Sequence, residues 1–385
     1  MGDAVRVGVI GLGQRGLQHL KVLWKLQSEG KVSIAGLCDP FEENLQQEKL
    51  ARFIPGFALG ETPTFQTYDE LVSGADMDAI YFCIPPGRHE GEVIRAAEAG
   101  LHLFAEKPMS LFMDEALEME AAIRSAGVIC AVGFQRRYEA QAEAAHGFLA
   151  GKRPVMATFV LDGALESHSR KHTQTGGLGG PKDQVWTKNM VWSGGTVVEA
   201  GIHQTDLMRY WFGDIAWVQA AYVPRDPNDI EDGGDNPYGY TVTYGFKQGG
   251  VGNLVITRLR KVYRNSGYQN ILWDHGHLCF EGKELAAYTY DGPYPPAEAP
   301  DKASLRHVIP SGAAVDTTEA IGRAFVAAVE EQDDGDLRST FSGSMNSLSA
   351  VLAANVSHER GGERIDLDAF VSSSTYADYR RKPVM

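Results

Sequence analysis

The run from residue 5 to residue 16, VRVGVIGLGQRG, constrains the fold of this 385-residue chain more than any other stretch. An apolar strand pattern leads directly into a G-x-G-x-x-G loop, and a helical pattern follows from Leu17 to Gln27. A second strand pattern ends in Asp39, 23 residues beyond Gly16. Such glycines let the backbone turn tightly and approach a pyrophosphate, and the helix start offers unpaired N–H groups to the phosphates. The pattern therefore predicts a dinucleotide-binding fold.

The acidic residue at the end of the second strand indicates which dinucleotide binds. A carboxylate at this point accepts hydrogen bonds from the adenosine ribose hydroxyls and repels a 2′-phosphate. Asp39 therefore favours NAD over NADP, whereas Arg15 in the loop keeps NADP open as the alternative. A glycine turn that binds no nucleotide is the structural alternative.

Strands and helices continue to alternate up to about residue 150. Further strand patterns lie at residues 32–38, 79–84, 101–105 and 128–133. Helical patterns lie between them and after them, at residues 41–52, 89–99, 113–125 and 138–150. The alternation is read as six strands, of which five are located by residue, and it predicts a doubly wound parallel sheet, an α/β fold. A Gly-Lys-Arg-Pro stretch follows, so residues 1–150 are predicted to form the dinucleotide-binding domain and residues 151–385 a second domain.

The second half has a different pattern. Strand patterns follow one another without helices between them, at residues 155–162, 215–223, 240–246, 251–260, 269–274 and 276–281. This succession predicts an α+β domain on an open, mostly antiparallel sheet, with helices at 317–330 and 342–358 packing back on the core. Residues 163–189 form a long polar, glycine-rich segment, which is typical of a functional loop.

Two clusters of polar residues suggest chemistry. The strand pattern 101–105 stops at Glu106-Lys107-Pro108, and the carboxyl ends of parallel strands face the ligand crevice, so Lys107 is predicted to place a cation there. A single helix predicted over 194–213 carries Glu199, His203 and Asp206 on one face. An imidazole oriented by carboxylates suits a general base. A solvated lysine and a structural His–acid pair are the alternatives.

Five stretches, in order, resemble the Gfo/Idh/MocA family of oxidoreductases, which is named for glucose–fructose oxidoreductase and inositol dehydrogenase. They are GVIGLGQRG at 8–16, Asp39, CIPPGRHEGEVIRAAEAGLHLFAEKP at 83–108, GFQRRY at 133–138 and GGTVVEAGIHQTDL at 194–207. The resemblance covers residues 5 to about 360. It implies a Rossmann domain, an α+β domain and NAD(P)-dependent oxidation of a sugar or polyol hydroxyl. It also implies homodimers or homotetramers that pack through the open sheet.

The same resemblance implies roles for single residues. His203 would take the hydroxyl proton while the carbon passes hydride to nicotinamide, and Lys107 would stabilise the developing alkoxide. Glu199, where many members have Asp, would orient His203, and Asp206 would bind a substrate hydroxyl. The implied cofactor contacts are Gly11, Leu12, Gly13, Gln14, Arg15, Gly16, Asp39, Ile84, Pro85, Pro86, His89, Glu106 and Lys107. The candidate substrate contacts, with ordinary packing as the alternative for each, are Arg136, Arg137, Tyr138, His168, Trp186 and Trp192.

Composition excludes several other classes of protein. A net charge of −14 argues against nucleic acid and anionic membranes as partners. No apolar run approaches the ~18 residues of a membrane span, and the N-terminal residues lack a secretory signal, so the cytoplasm is expected. The four cysteines are too widely spaced for a metal or disulfide framework, so no metal is predicted.

Two other functions remain open. One is an NAD-dependent glycosidase or lyase-like enzyme that oxidises a sugar transiently. The other is a non-catalytic nucleotide-sensing regulator, against which Lys107, Glu199 and His203 argue because a regulator has no need of them.

Overall fold

The computed structural model describes residues 4–164, 186–226, 228, 234–259 and 266–382, without the side chains of Ala164 and Lys302. Its first sheet contains six parallel strands in the order β3-β2-β1-β4-β5-β6. The strands are β1 Val5–Ile10, β2 Val32–Cys38, β3 Thr64–Phe65, β4 Ala79–Phe82, β5 His102–Ala105 and β6 Cys130–Val132. The helices are α1 Gln14–Ser28, α2 Gln47–Phe53, α3 Tyr68–Gly74, α4 Glu92–Glu98, α5 Met113–Ala126 and α6 Ala140–Leu149. The predicted doubly wound parallel sheet is confirmed.

Two local features of this half differ from the sequence patterns. The third strand, β3, was not located by residue, because two residues are too few to give a periodic pattern. The predicted helix 41–52 is instead a 3₁₀ turn, Glu42–Leu45, followed by α2. Gln46 separates the two in an extended conformation, with φ −71° and ψ 135°.

The second sheet contains nine strands in the order β14-β13-β12-β11-β7-β10-β9-β8-β15. All neighbours are antiparallel except β7 and β10, which run parallel. The strands are β7 Pro154–Ala164, β8 Ile215–Val223, β9 Gly239–Phe246, β10 Val251–Leu259, β11 Ser266–Trp273, β12 Gly276–Glu281, β13 Glu284–Thr289, β14 Arg306–Ile309 and β15 Ile365–Asp366. The mostly antiparallel α+β architecture is therefore confirmed.

Short and long helices accompany this sheet. The helices are α7 Met190–Ser193, α8 Thr196–Glu199, α9 Ile202–Phe212, α10 Lys302–Leu305, α11 Thr317–Glu331, α12 Phe341–Glu359, α13 Leu367–Ser372 and α14 Ala377–Arg380. Shorter 3₁₀ turns lie at Pro86–Arg88, Gln135–Tyr138, Trp186–Lys188 and Ser374–Tyr376.

The single helix predicted over 194–213 is wrong, because the chain breaks it into α8 and α9. Gly194 and Gly195 have φ of 69° and 87°, so the helical segment begins only at Thr196. A second break lies at Ala200 and Gly201, where the Gly201 N–H donates to the Thr196 carbonyl across a tight turn. A Cβ at residue 201 would lie 2.5 Å from the Val197 carbonyl oxygen, so the turn requires glycine.

The helices at the end of the chain pack back on the core, as predicted. Helix α11 lies against α1, with ion pairs from Lys25 to Glu319 and from Arg323 to Glu29. Helix α12 lies against β8 of the second sheet. The chain thus returns from the second sheet to the first, and the division into two domains at residue 150 stays a prediction.

A buried ion pair joins the two halves. Arg137 lies in the 3₁₀ turn that follows β6, and Asp206 lies on α9. Arg137 donates from Nε to Asp206 Oδ2 at 2.8 Å and from Nη2 to Oδ1 at 2.6 Å. The two residues are 5% and 1% exposed, so neither charge has water as an alternative partner. Breaking such a pair leaves one buried charge without a counterion.

We expect Asp206→Asn to lower the free energy of unfolding by about 3–5 kcal/mol, because it leaves Arg137 buried beside a neutral amide. Urea denaturation measures the change. The matched control is Asp214→Asn, since Asp214 also pairs with an arginine, Arg209 at 2.8 Å, but is partly exposed. The control should lose about 1 kcal/mol or less. Equal losses in both variants would contradict the role assigned to the buried pair.

Candidate active site

The glycine loop between β1 and α1 is shaped to admit a dinucleotide. Gly11 has φ 85°, and a Cβ there would lie 2.4 Å from the Cys83 carbonyl oxygen. A Cβ at Gly16 would lie 1.8 Å from the Gly11 carbonyl oxygen, so the loop and helix pack too closely for any side chain. A Cβ at Gly13 would meet nothing within 4 Å, and no side chain caps the start of α1. The N–H groups of the first helical turn, which includes Gln14, therefore remain available to a phosphate.

Asp39 ties the loop to the end of β2. Its Oδ2 accepts from the Leu12 N–H at 2.7 Å, and its Oδ1 accepts from the Phe41 N–H at 2.9 Å and from Asn44 Nδ2 at 2.8 Å. Asp39 is 3% exposed. A carboxylate has about four lone-pair sites, so three protein donors leave one for a ribose hydroxyl. Asp39 therefore fixes the loop as well as facing the predicted adenosine site.

The strand exits of β1, β4 and β5 lie side by side, at the point where the strand order reverses. Ligands bind at such points in open parallel sheets. Ile84 and Pro85, after β4, are partly exposed at this edge, whereas Pro86 and His89 are buried. His89 Nδ1 lies 2.5 Å from Glu92 Oε1, and the His89 carbonyl accepts from Lys382 Nζ. His89 thus anchors the loop from inside.

Glu106, at the end of β5, is the centre of a buried charged network. Its Oε1 accepts from Arg15 Nε at 2.7 Å and lies 2.7 Å from His19 Nε2. Burial by itself would raise the pKa of Glu106, but Arg15 and His19 outweigh it and lower the pKa to about 2. Arg15 also donates from Nη1 to Thr318 Oγ1 at 3.0 Å. Its side chain is therefore committed to Glu106 and α11, away from the Asp39 carboxylate.

Lys107 leaves this network and reaches the second half of the chain. Its Nζ donates to the Glu199 carbonyl oxygen at 2.7 Å and lies 3.6 Å from Glu199 Oε1. The break after Glu199 explains this contact, because the His203 N–H bonds to the Ala200 carbonyl and leaves the Glu199 carbonyl to Lys107. The side chains of Lys107 and Glu199 are 11% and 13% exposed, so the contact is sheltered from bulk water.

His203 lies near the same sheet edge, in the first turn of α9. Its ring meets the Phe134 ring edge-on, with 6.5 Å between centroids, and Phe134 follows β6. Since β5 and β6 are neighbours, the His203 ring lies beside the strand exit next to the one that carries Lys107. Because α8 and α9 are separate, the turn at Gly201 lies between Glu199 and His203, and the two residues do not share one regular helix as predicted.

The remaining candidates separate into buried and accessible residues. Asp206 and Arg137 bond to each other, and Asp206 Oδ1 also accepts from Ser347 Oγ at 2.8 Å, so both side chains are held within a buried network of protein contacts. Tyr138 is also buried, and its hydroxyl oxygen accepts from the Arg338 N–H. These three residues are buried and bonded within the fold, and their assignment as substrate contacts stays a prediction.

Three of the other candidates remain beside the crevice. Arg136 is partly exposed and donates from Nε to Glu139 at 2.8 Å. Trp192 is 38% exposed, and the Arg88 guanidinium lies 3.9 Å from the centre of its ring. Trp186 is partly buried in a 3₁₀ turn before α7. His168 lies outside the described residues.

Arg88 and Arg258 are two cationic residues near the site that the motifs do not identify. Arg88 belongs to the loop after β4 and bridges to Trp192 on α7. Arg258 lies at the end of β10, where its charge interacts with Glu199. The sequence does contain a signal for Arg258: it follows Leu254 and Ile256 at intervals of two residues, and these two side chains lie on the buried face of the strand.

Family models match both halves of the chain. Residues 5–134 match the oxidoreductase family with the NAD-binding Rossmann fold, and residues 168–272 match the C-terminal α/β domain of the same family. The chain belongs to the Gfo/Idh/MocA family. The NAD-binding fold expected from the glycine loop is thereby confirmed.

Individual members of the Gfo/Idh/MocA family differ in what they do. The scyllo-inositol 2-dehydrogenase (NAD(+)) of Bacillus subtilis is 30% identical over 218 residues, which are 55% of each chain. A glycosyl hydrolase family 109 protein of Shewanella pealeana is 33% identical over 117 residues, 29% of this chain and 25% of that one. The matched stretch thus spans about half, or less, of the length of these curated relatives.

Solved structures of the family share the whole architecture. The WlbA dehydrogenase of Bordetella pertussis, in complex with NADH and UDP-GlcNAcA, superposes with a TM-score of 0.73 at 18% identity. The alignment covers 94% of this chain and 98% of that one. At this identity the likeness establishes the fold alone.

No helix in the described ranges is long and apolar enough to cross a membrane.

We expect the Glu106 network to make the stability of this Gfo/Idh/MocA chain depend on pH. A carboxyl whose pKa is lowered from 4.5 to about 2 stabilises the fold above pH 4.5 and loses that contribution as the pH falls towards 2. Glu106→Gln should therefore cost about 3 kcal/mol at pH 7 and progressively less at pH 4 and 3. Urea denaturation at the three pH values measures this difference.

The control is Glu98→Gln, since Glu98 is exposed at the end of α4 and should give no difference at any pH. A Glu106→Gln penalty that stays constant from pH 7 to pH 3 would exclude the ionised carboxylate as its cause.

Proposed function

We propose that this chain is an NAD-dependent dehydrogenase or reductase that acts on a hydroxyl or keto carbon of a sugar, polyol or sugar derivative. The observation that carries the proposal is the bond from Lys107 Nζ to the Glu199 carbonyl. It joins the strand exit beside the glycine loop to the end of α8, four residues before His203. A bound nicotinamide would accept or donate the hydride.

The residues of the chain divide the remaining work. His203, with a neutral imidazole, takes the proton of the substrate hydroxyl as general base. The Lys107 ammonium stabilises the negative charge that develops on the same oxygen. Glu199 holds Lys107 through its carbonyl oxygen and offsets part of its charge through Oε1, 3.6 Å away. The glycine loop and the start of α1 hold the pyrophosphate, and Asp39 receives the adenosine ribose.

Lys107→Ala and His203→Ala should each lower kcat by ~100-fold or more, the usual scale for losing a general base or a preorganised charge. The measurement is NADH absorbance at saturating cofactor on a panel of sugars and polyols. NADH binding, followed by fluorescence, should persist in the His203 variant because this residue faces the substrate.

Lys31→Ala and His275→Ala are the matched controls. Both residues are more than half exposed and lie away from the crevice, at the start of β2 and in the turn before β12. They should retain wild-type turnover. Near-normal turnover in both Lys107→Ala and His203→Ala would reject the assigned roles.

The similarity to a glycosyl hydrolase family 109 protein favours a second candidate, an NAD-dependent glycosidase. In that reaction the sugar is oxidised transiently, eliminates its aglycone and is reduced again, so the cofactor is regenerated. Release of nitrophenol from a nitrophenyl glycoside without net NADH would identify the glycosidase. Net NADH from a free polyol or sugar would identify the dehydrogenase.

Asp39 is proposed to select NAD over NADP by repelling a 2′-phosphate. Asp39→Ala should weaken NADH binding and shift the NADH-to-NADPH affinity ratio towards NADPH by about tenfold, which corresponds to about 1.4 kcal/mol. Fluorescence titration of both cofactors measures the ratio. Asp76→Ala, at an exposed position, is the control. An unchanged ratio in Asp39→Ala would show that another group selects the cofactor.

The assembly and location follow the same proposal. We propose a homodimer or homotetramer that packs through the uncovered face of the second sheet and works in the cytoplasm. Thr241 and Thr243 of β9 and Val255 of β10 point to this face. Light scattering of the purified chain would report the oligomeric state.

A further inference from the structure

An arginine continues the apolar inner face of β10 beyond the point where the helices cover it. Leu254 and Ile256 are fully buried on this face, and Ile256 packs against Gly201, just before α9. Arg258 comes two residues later on the same side of the strand. Side chains two apart share one face of a strand, so Arg258 projects past the start of α9, on the side where Glu199 lies.

The neighbouring strand leaves a space for this guanidinium. Strand β7 runs parallel to β10, and Gly163 is the partner of Arg258 in the register. A Cβ at residue 163 would lie 2.7 Å from Arg258 Nη1, so any side chain there would displace the arginine. Nη1 also donates to the Thr257 carbonyl at 3.0 Å. The backbone of two adjacent strands therefore positions the guanidinium.

Among the described residues, two cations lie near a single carboxylate at this point. Burial lowers the pKa of Arg258, and in the described part of the chain Glu199 is the carboxylate that opposes this shift. Glu199 is also the carboxylate nearest to Lys107, at 3.6 Å. Two cations thus share one carboxylate beside the crevice. A cation that is partly withdrawn from water is stabilised by a matching anion, and a bound ligand could supply one.

We propose that Arg258 binds an anionic group on the substrate, so that the preferred substrates are sugar acids or sugar phosphates rather than neutral sugars or polyols. This inference rests on the proposed function, since it concerns the substrate of the same crevice. A guanidinium offers a planar pair of N–H donors that matches a carboxylate or a phosphate in a bidentate contact. Lys107 would then act on the reacting oxygen, while Arg258 fixes the far end of the molecule.

The test compares wild type with two variants. Arg258→Gln removes the charge, and Arg258→Lys keeps the charge but loses the planar pair of N–H donors. The probes are D-glucuronate, D-glucose 6-phosphate, D-glucose and myo-inositol. Each is assayed for NADH formation and is also titrated calorimetrically into the complex of enzyme and NADH. Lys247→Gln is the control, because it removes a partly exposed cation from the opposite end of the same β9–β10 hairpin.

We expect wild type to bind at least one anionic probe about 10- to 100-fold more tightly than D-glucose, the scale of hydrogen bonds to a charged group. Arg258→Gln should lose this preference and leave binding of the neutral probes within about threefold. Arg258→Lys should recover part of it, and Lys247→Gln should match wild type. The ranking of glucuronate against glucose 6-phosphate tells whether a carboxylate or a phosphate is preferred.

The possible failures are distinguishable. Neutral probes that bind as tightly as the anionic ones, or an Arg258→Gln variant that weakens all probes equally, would overturn the inference and leave a dehydrogenase in place. Arg258-dependent anion binding without NADH formation from any probe would support the inference and count against the dehydrogenase function. If no probe binds and none is oxidised, both fail.

Discussion

The whole crevice depends on one buried carboxylate, Glu106. It is 8% exposed, and a charge in such a place is retained only with strong partners. Arg15 and His19 of α1 provide them, and Arg15 extends the network to Thr318 at the start of α11. Two helices that are distant in sequence, α1 and α11, are therefore fixed relative to the strand exit. The residue that follows Glu106 is Lys107, so the network that neutralises one charge also positions the next.

The second constraint is a glycine that interrupts a helix. In a continuous helix the Glu199 carbonyl would accept from the His203 N–H, and Lys107 would have no carbonyl to bind. In the tight turn at Gly201, the His203 N–H donates instead to the Ala200 carbonyl oxygen. The Glu199 carbonyl oxygen is then available to Lys107. The same turn brings the Ile256 side chain close, because no Cβ stands in its way. A backbone detail thus connects the first sheet to the helix that carries the proposed base.

Local patterns in the sequence were sufficient for most of the fold and for part of the site. The glycine loop, Asp39 and Lys107 follow from short motifs whose geometry is set by neighbouring residues, and the strand patterns of both sheets have clear periodicity. The roles of Arg137 and Asp206 were beyond such reasoning, since the two are 69 residues apart and only the folded chain makes them partners. The sequence gives both as candidate substrate contacts, because polar residues near a motif look alike in sequence, whether they face a ligand or each other. The break at Gly201 was visible as a glycine, but its consequence depends on Lys107 from the other half.

The parallel pairing of β7 and β10 in the second sheet explains how each of the two sheets contributes a cation near Glu199. In the first sheet, parallel strands deliver their carboxyl ends, and with them Lys107, to a single edge. Strands β7 and β10 repeat this arrangement within an otherwise antiparallel sheet, so Gly163 and Arg258 arrive together at the edge where Glu199 lies. An antiparallel partner would have placed the start of its strand, rather than its end, beside Arg258. Parallel strands in both sheets therefore place a cation near Glu199: Lys107 from the first sheet and Arg258 from the second.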